Sequence, residues 1–147
     1  MKDILIKEIM VKQVFTAHVE DPLSAVEAKF RLRGVRHLPV VDDKNRVVGM
    51  FTLRDLTRCL SPRKTESGYI FDPEQLDRFI LKHVMTKDPL ALAPEDTLGH
   101  AVEVMARDKF GCIPIVASDH SLVGIVTQID VLKFLASWLR KQNGELS

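Results

Sequence analysis

Val47–Leu60 reads VVGMFTLRDLTRCL, and Leu122–Leu135, beginning 75 residues later, reads LVGIVTQIDVLKFL. Each copy is a short apolar run broken by a glycine (Gly49, Gly124), followed by a threonine (Thr52, Thr127) and then an aspartate (Asp55, Asp130). The apolar run has the character of a strand, and the segment from the aspartate onward has helical spacing. Threonine followed three residues later by aspartate at a strand-to-helix junction satisfies the free N–H groups of a first helical turn. The same corner suits a sugar-phosphate, since those N–H groups attract anions and a carboxylate accepts from hydroxyls. For a single copy the plain helix cap is the favoured reading. Recurrence in register favours a functional reason, although duplication also copies caps.

The repeat runs outward from these stretches without a gap. Lys7/Lys82, Met10/Met85, Glu20/Glu95, Asp21/Asp96, Leu23/Leu98, Pro39/Pro114 and Val41/Val116 are identical at the same offset. A repeat of this size buries too little surface to be comfortable alone, so the two copies are expected to pack together about a pseudo-two-fold axis. The expected boundaries are a first domain at 1–60, a linker at 61–77, a second domain at 78–140 and a polar tail at 141–147. Segments 4–10 and 79–85 read as short helical lead-ins. Strands are expected at 14–19 and 89–93, and helices opening at Asp21-Pro22-Leu23 and Asp96-Thr97-Leu98, with Pro22 in the first turn. The apolar stripes of those helices are Leu23, Ala25, Val26 and Phe30, and Leu98, Ala101, Val102 and Met105. Strands follow at Leu38–Val41 and Ile113–Val116, each with a proline that argues for a sheet edge or a strand start. Residues 61–75 have no counterpart in the repeat; Tyr69, Ile70 and Phe71 are expected to pin them to the surface. The chain is expected to fray from Leu139 onward.

Composition fits a soluble globular protein: 46% hydrophobic, 28% charged, net charge +1. Near-neutrality removes a general argument for nucleic acid or anionic membrane. The N-terminus is interrupted by charge every few residues and reads as neither a signal peptide nor a span. Cys59 and Cys112 occupy unrelated repeat positions and point to buried thiols in a reducing cytoplasm. No glycine-rich phosphate loop, metal-ligand spacing among the five histidines, or nucleophile–base pattern stands out. No metal, catalytic residue or enzymatic role is therefore expected.

The paired motifs resemble tandem CBS domains, the regulatory module named after cystathionine β-synthase. The resemblance rests on Met10 and Met85, Glu20–Leu23 and Glu95–Leu98, Leu38–Val41 and Ile113–Val116, and above all on G-x-x-T-x-x-D at Gly49–Asp55 and Gly124–Asp130. It covers roughly residues 4–137. It implies an α/β (α+β) fold in which each domain is a small three-stranded sheet with two helices. It also implies packing sheet to sheet about a pseudo-two-fold axis, with two adenosine-ligand sites in the cleft. Carried over, Asp55 and Asp130 accept from ribose hydroxyls, and Thr52 and Thr127 face the ribose or α-phosphate. Thr16, Ala17, Leu90, Ala91 and Leu92, with Leu38, Pro39, Ile113 and Pro114, form the adenine slot.

The first copy carries Arg36, His37 and Arg54 where the second has Gly111, Cys112 and Ile129. Phosphate is therefore expected mainly at the first copy. Protonation of His37 beside a phosphate would make affinity pH-dependent. The alternative for these arginines is a solvated face or pairing with nearby carboxylates. The expected function is a cytoplasmic, non-enzymatic sensor that binds AMP, ADP or ATP as ligand, with no cofactor, and signals to an effector protein. A homodimer is expected, with Leu56, Leu60, Val131, Leu132 and Leu135 supplying both its interface and the core. The alternatives are an S-adenosylmethionine sensor and a ligand-free dimerisation module. Nucleic-acid binding through the first-copy arginines is disfavoured by the lack of interleaved aromatics.

Overall fold

β-Branched Val47, Val48 and Thr52 with aromatic Phe51 suit a pleated, half-buried surface, and the chain is extended from Val47 to Thr52 before turning at once into a helix. A computed structural model describes residues 3–60, 63–70 and 72–144 of the mixed α/β chain. Its contacts divide into two compact units. The central unit is Phe15–Pro89; the composite unit joins Met1–Val14 to Leu90–Ser147. The units are thus not the two sequential repeats: each lead-in belongs with the other repeat.

In the central unit the elements are β1 (Ala17–His18), α1 (Leu23–Arg33), β2 (His37–Val41), β3 (Val47–Thr52) and α2 (Leu53–Cys59). A hairpin, β4 (Arg63–Thr65) and β5 (Gly68–Ile70), follows, then α3 (Pro73–Leu76), α4 (Leu81–Val84) and β6 (Thr86–Lys87). The sheet order is β1-β2-β3-β6, with β1 parallel to β2 and the other pairs antiparallel. Leu23, Val26 and Phe30 of α1 pack with Leu38, Val40, Phe51, Leu56 and Leu81 in one core. Burying each such side chain contributes about 1.5–3 kcal/mol. The Phe30 and Phe51 rings stack at 6.2 Å between centroids. Gly34 ends α1 at φ 66°, a left-handed cap that costs glycine nothing.

The composite unit opens with a 3₁₀ turn at Ile6–Glu8, then continues with α5 (Leu98–Asp108), β7 (Cys112–Val116), β8 (Leu122–Thr127) and α6 (Gln128–Gln142). β7 and β8 pair antiparallel in the same register as β2 and β3, shifting at Ile115/Val116 as the first pair shifts at Val40/Val41. Single bridges replace the outer strands: Leu92 lies parallel to Ile115, and Val11 lies antiparallel to Ile125. Ile6 is fully buried with Ala101, Val104, Ile113, Ile115 and Val126. Hydrogen bonds from Ile6 N–H to Asp96 O (2.8 Å) and Lys7 N–H to Pro94 O (3.0 Å) hold the lead-in there.

Several expectations are corrected. Only Ala17–His18 of 14–19 forms a strand, and 89–93 holds only the Leu92 bridge. β2 is interior to its sheet, not at an edge. Pro39 is tolerated because β1 pairs with β2 only from Val40 onward. In β7, the Pro114 carbonyl accepts from Leu92, so the side with the missing N–H faces away from β8 and no β7–β8 rung is lost. Pro22 is the N-cap of α1, one residue outside the helix. On α5, Val104 is buried and Val102 is exposed, because the stripe follows 98, 101, 104/105. Residues 63–70 form a hairpin rather than plain linker. Ile70 is exposed, so it does not pin that segment down; Phe71 and the Tyr69 side chain lie outside the described residues. Helix α6 runs to Gln142, beyond the point of expected fraying. The residues expected to serve both interface and core divide: Leu56 and Leu60 are core, and Leu132 and Leu135 are exposed.

Candidate functional site

The two Thr–Asp stretches form matching helix starts. Thr52 is the N-cap of α2: its Oγ1 accepts from Asp55 N–H at 3.0 Å, and Asp55 Oδ2 accepts from Thr52 N–H at 2.9 Å. Thr127 and Asp130 do the same on α6, at 3.3 and 2.8 Å, and Thr127 Oγ1 also donates to Asp130 Oδ2 at 2.9 Å. The capping reading is therefore realised in both copies. It uses one carboxylate oxygen of each aspartate; among the described residues, Oδ1 of Asp55 and of Asp130 has no protein donor. Ribose hydroxyls are donors of the kind such an oxygen accepts.

In the central unit, the register of β2 and β3 sets His37 opposite Thr52. A hydrogen bond from Leu53 N–H to Arg36 O, 3.0 Å, ties the same corner to the start of α2. Arg36, His37, Thr52 and Asp55 are thus gathered at one end of the sheet, and Arg54 lies exposed in the first turn of α2. Burial, then the Arg36 guanidinium, hold the half-buried His37 imidazole below its ordinary pKa, against the opposing pull of Asp55. Arg31, Arg46 and Arg107 are paired with Glu27, Asp42 and Asp108. Arg36, Arg54 and Arg58 have no carboxylate partner among the described residues. Of the two alternatives for the first-copy arginines, carboxylate pairing is not seen for these three among the described residues, and a solvated face remains, since all three are exposed.

In the composite unit the matching positions carry no fixed guanidinium. Gln128 N–H bonds Gly111 O at 3.1 Å, the counterpart of the Leu53–Arg36 bond. Cys112 pairs with Thr127 where His37 pairs with Thr52. Burial, reinforced by Asp130, pushes the Cys112 thiol up to about 12, which suppresses the thiolate and any nucleophilic role at neutral pH. Ile129 stands exposed where Arg54 stands in the central unit.

The expected adenine-slot residues divide between the units. Thr16, Ala17, Leu38 and Pro39 lie in the central unit; Leu90, Ala91, Leu92, Ile113 and Pro114 lie in the composite unit. The side chains of Ala17, Leu38, Leu92 and Ile113 are core members, so these residues have backbone rather than side chain to offer a ligand. Ala17 is fully buried in the core. Leu90 is exposed. Lys29 is a residue that repeat reasoning missed: its Nζ donates to Thr16 O at 2.5 Å and lies 3.7 Å from Asp21 Oδ2. Its signal was a lone lysine on the α1 face that turns toward β1. Among the described residues, no cluster of metal-ligating side chains exists and no helix is long and apolar enough to cross a membrane.

The CBS domain family model matches residues 6–62 and 81–137. An inosine-5'-monophosphate dehydrogenase of Korarchaeum cryptofilum is 30% identical over 125 residues, 85% of this chain and 23% of that enzyme. The chain spans 22–43% of the length of the first four curated relatives it matches. Among solved structures, the CBS domain pair of protein MJ0100, in complex with 5'-methylthioadenosine and S-adenosyl-L-methionine, superposes with a TM-score of 0.76 at 21% identity, covering 92% of this chain and 98% of that one. CBSX2 in complex with AMP gives 0.77 at 20% identity, with coverage of 93% and 99%. With both repeats matched by the family model and the paired Thr–Asp corners in register, the chain belongs to the CBS domain family, as a tandem pair.

Proposed function

We infer that this CBS pair is a regulatory, non-catalytic module that binds an adenine nucleotide at the central unit and signals to a partner protein. The observation that carries this reading is the set of unpaired guanidiniums, Arg36, Arg54 and Arg58, on elements that meet at the Thr52–Asp55 corner. Guanidinium forks match phosphate oxygens, and among the described residues no carboxylate pairs with these cations. Asp55 Oδ1 takes a ribose hydroxyl, Thr52 faces the ribose or α-phosphate, and the backbone of Thr16–Ala17 and Leu38–Pro39 reads the base. The complexes of structural neighbours with AMP and with adenosyl thioethers support an adenosine-containing ligand.

One observation favours a second reading for the composite unit. Gly111, Cys112 and Ile129 surround the Thr127–Asp130 corner without a fixed guanidinium. Such a corner tolerates the sulfonium of S-adenosylmethionine better than a polyphosphate. Exposed Ile129, Leu132, Leu135 and Leu139 fall on one stripe of α6, and we assign that stripe to a homodimer contact. The cytoplasm is the compartment that fits two unbridged cysteines.

The test is calorimetric titration with AMP, ADP, ATP and S-adenosylmethionine on the wild type, Asp55→Ala and Asp130→Ala. Nucleotide affinity is expected to fall at least tenfold in Asp55→Ala and less in Asp130→Ala. Equal losses, or the reverse order, would overturn the assignment of phosphate to the central unit. Absence of binding by all four ligands would leave a ligand-free dimerisation module.

A further inference from the structure

The chain crosses between the units twice, and each crossing runs from one unit's Thr–Asp strand to the other unit's slot segment. At one crossing, Val11 exchanges hydrogen bonds with Ile125, both 2.9 Å, two residues before Thr127; six residues later Ala17 joins β2 of the central unit. At the other, β6 pairs with Gly49 and Met50, two residues before Thr52; five residues later Leu92 is held between Pro114 O (3.1 Å) and Val116 N–H (2.9 Å) of the composite unit.

The second crossing is the stiffer. Asp88 is left-handed at φ 46°, its N–H is fixed to Val48 O at 3.1 Å, and Pro89 follows with a ring-locked φ. A non-glycine residue held left-handed is a strained position that persists only because its surroundings fix it. Residues 12–16 of the other crossing contain no proline and no positive φ.

We propose that Lys87–Leu92 is a mechanical link that couples the two candidate ligand corners. Through it, occupancy of the Thr52–Asp55 corner changes the order and ligand affinity of the Leu90–Leu92 segment. The proposal rests on the ligand-binding reading above. A short link with one residue pinned and the next ring-locked has few torsions to absorb a shift of β3, so the shift passes to Leu92 and its two hydrogen bonds. Coupling of this kind needs two sites joined by an element that both bias.

Residue-resolved hydrogen exchange tests it, with ADP as the probe and Asp130→Ala as background so that the composite corner is disabled. ADP is expected to slow exchange at Asp55 and, through the link, at Leu92 and Val116 by about fivefold, the lower end of ordinary coupling strengths. Asp88→Gly combined with Pro89→Ala frees both torsions while leaving every proposed ligand contact in place. In that variant protection at Asp55 is expected to remain and that at Leu92 to vanish. Protection confined to the central unit in the parent, or persisting at Leu92 in the loosened variant, overturns the coupling alone. No protection anywhere, with no heat on titration, overturns the binding reading and the coupling with it.

Discussion

At the residue scale, the repeat glycines are explained by what lies over them. A Cβ on Gly124 would meet Met10 Sδ and the Val11 carbonyl oxygen, each at 2.9 Å, whereas the three atoms nearest one on Gly49 all belong to the Met85 side chain. Backbone yields less readily than a thioether. Gly124→Ala is therefore expected to cost about 2–3 kcal/mol and Gly49→Ala about 1, measured by urea unfolding. Equal costs would show that the Val11 carbonyl moves as freely as Met85. Lys109 ends α5 left-handed at φ 60°, where its counterpart is Gly34. Lys109→Gly is expected to stabilise the protein by about 0.5–1 kcal/mol, read as a raised denaturation midpoint. His37, held below its ordinary pKa, binds fewer protons folded than unfolded. Its contribution is intact above pH 6.5 and is lost as pH falls from there through the lowered folded value. His37→Gln is expected to flatten the stability profile of the protein on that acid side, and a profile that keeps its slope would place the titration elsewhere.

At the element scale, α2 and α6 begin identically and end differently. Both are opened by a reciprocal Thr–Asp cap, but α2 stops at Cys59, whereas α6 continues to Gln142 and leaves an apolar stripe exposed. The cap and any ligand share the same aspartate, so the two roles are separated by substitution. Thr127→Ala removes the hydroxyl cap and is expected to cost about 1 kcal/mol in the ligand-free protein. Leu132→Lys, on the exposed stripe, is expected to leave the unfolding midpoint of dilute protein unchanged while halving the mass seen by light scattering at high concentration. An unchanged mass would remove α6 as the contact between copies.

At the scale of the whole molecule, the exchange of lead-ins decides which pieces are complete. Fragment 15–89 contains β1 through β6, including Leu81 and the strand that closes its sheet. It is expected to fold alone with a cooperative transition. Deleting residues 1–14 removes Ile6 from the composite core and the Val11 bridge from β8. That deletion is expected to abolish exchange protection in α5, β7 and β8 while sparing β2 and β3. Fragment 1–77, which follows the sequential repeat, lacks Leu81 and β6 and is expected to remain largely unfolded.

What the sequence determined by itself was local or periodic. The register of the repeat, the strand-to-helix break at Thr52 and Thr127, and the core positions Leu23, Val26, Phe30 and Leu98 were all legible, because caps and apolar spacing act over a few residues. The candidate site was legible to the same extent: the Thr–Asp corners and the arginine asymmetry could be read, since both are contrasts between aligned residues. Tertiary structure alone decided the rest. Ala17 and Leu38 point into a core, β2 is interior, and Lys29 reaches back to Thr16. Among the described residues Arg36, Arg54 and Arg58 escape the pairing that takes up Arg31, Arg46 and Arg107, and each lead-in completes the other repeat. These outcomes depend on which surfaces compete to be buried and which carboxylates lie within reach, and a linear pattern does not encode distances between residues far apart in the chain.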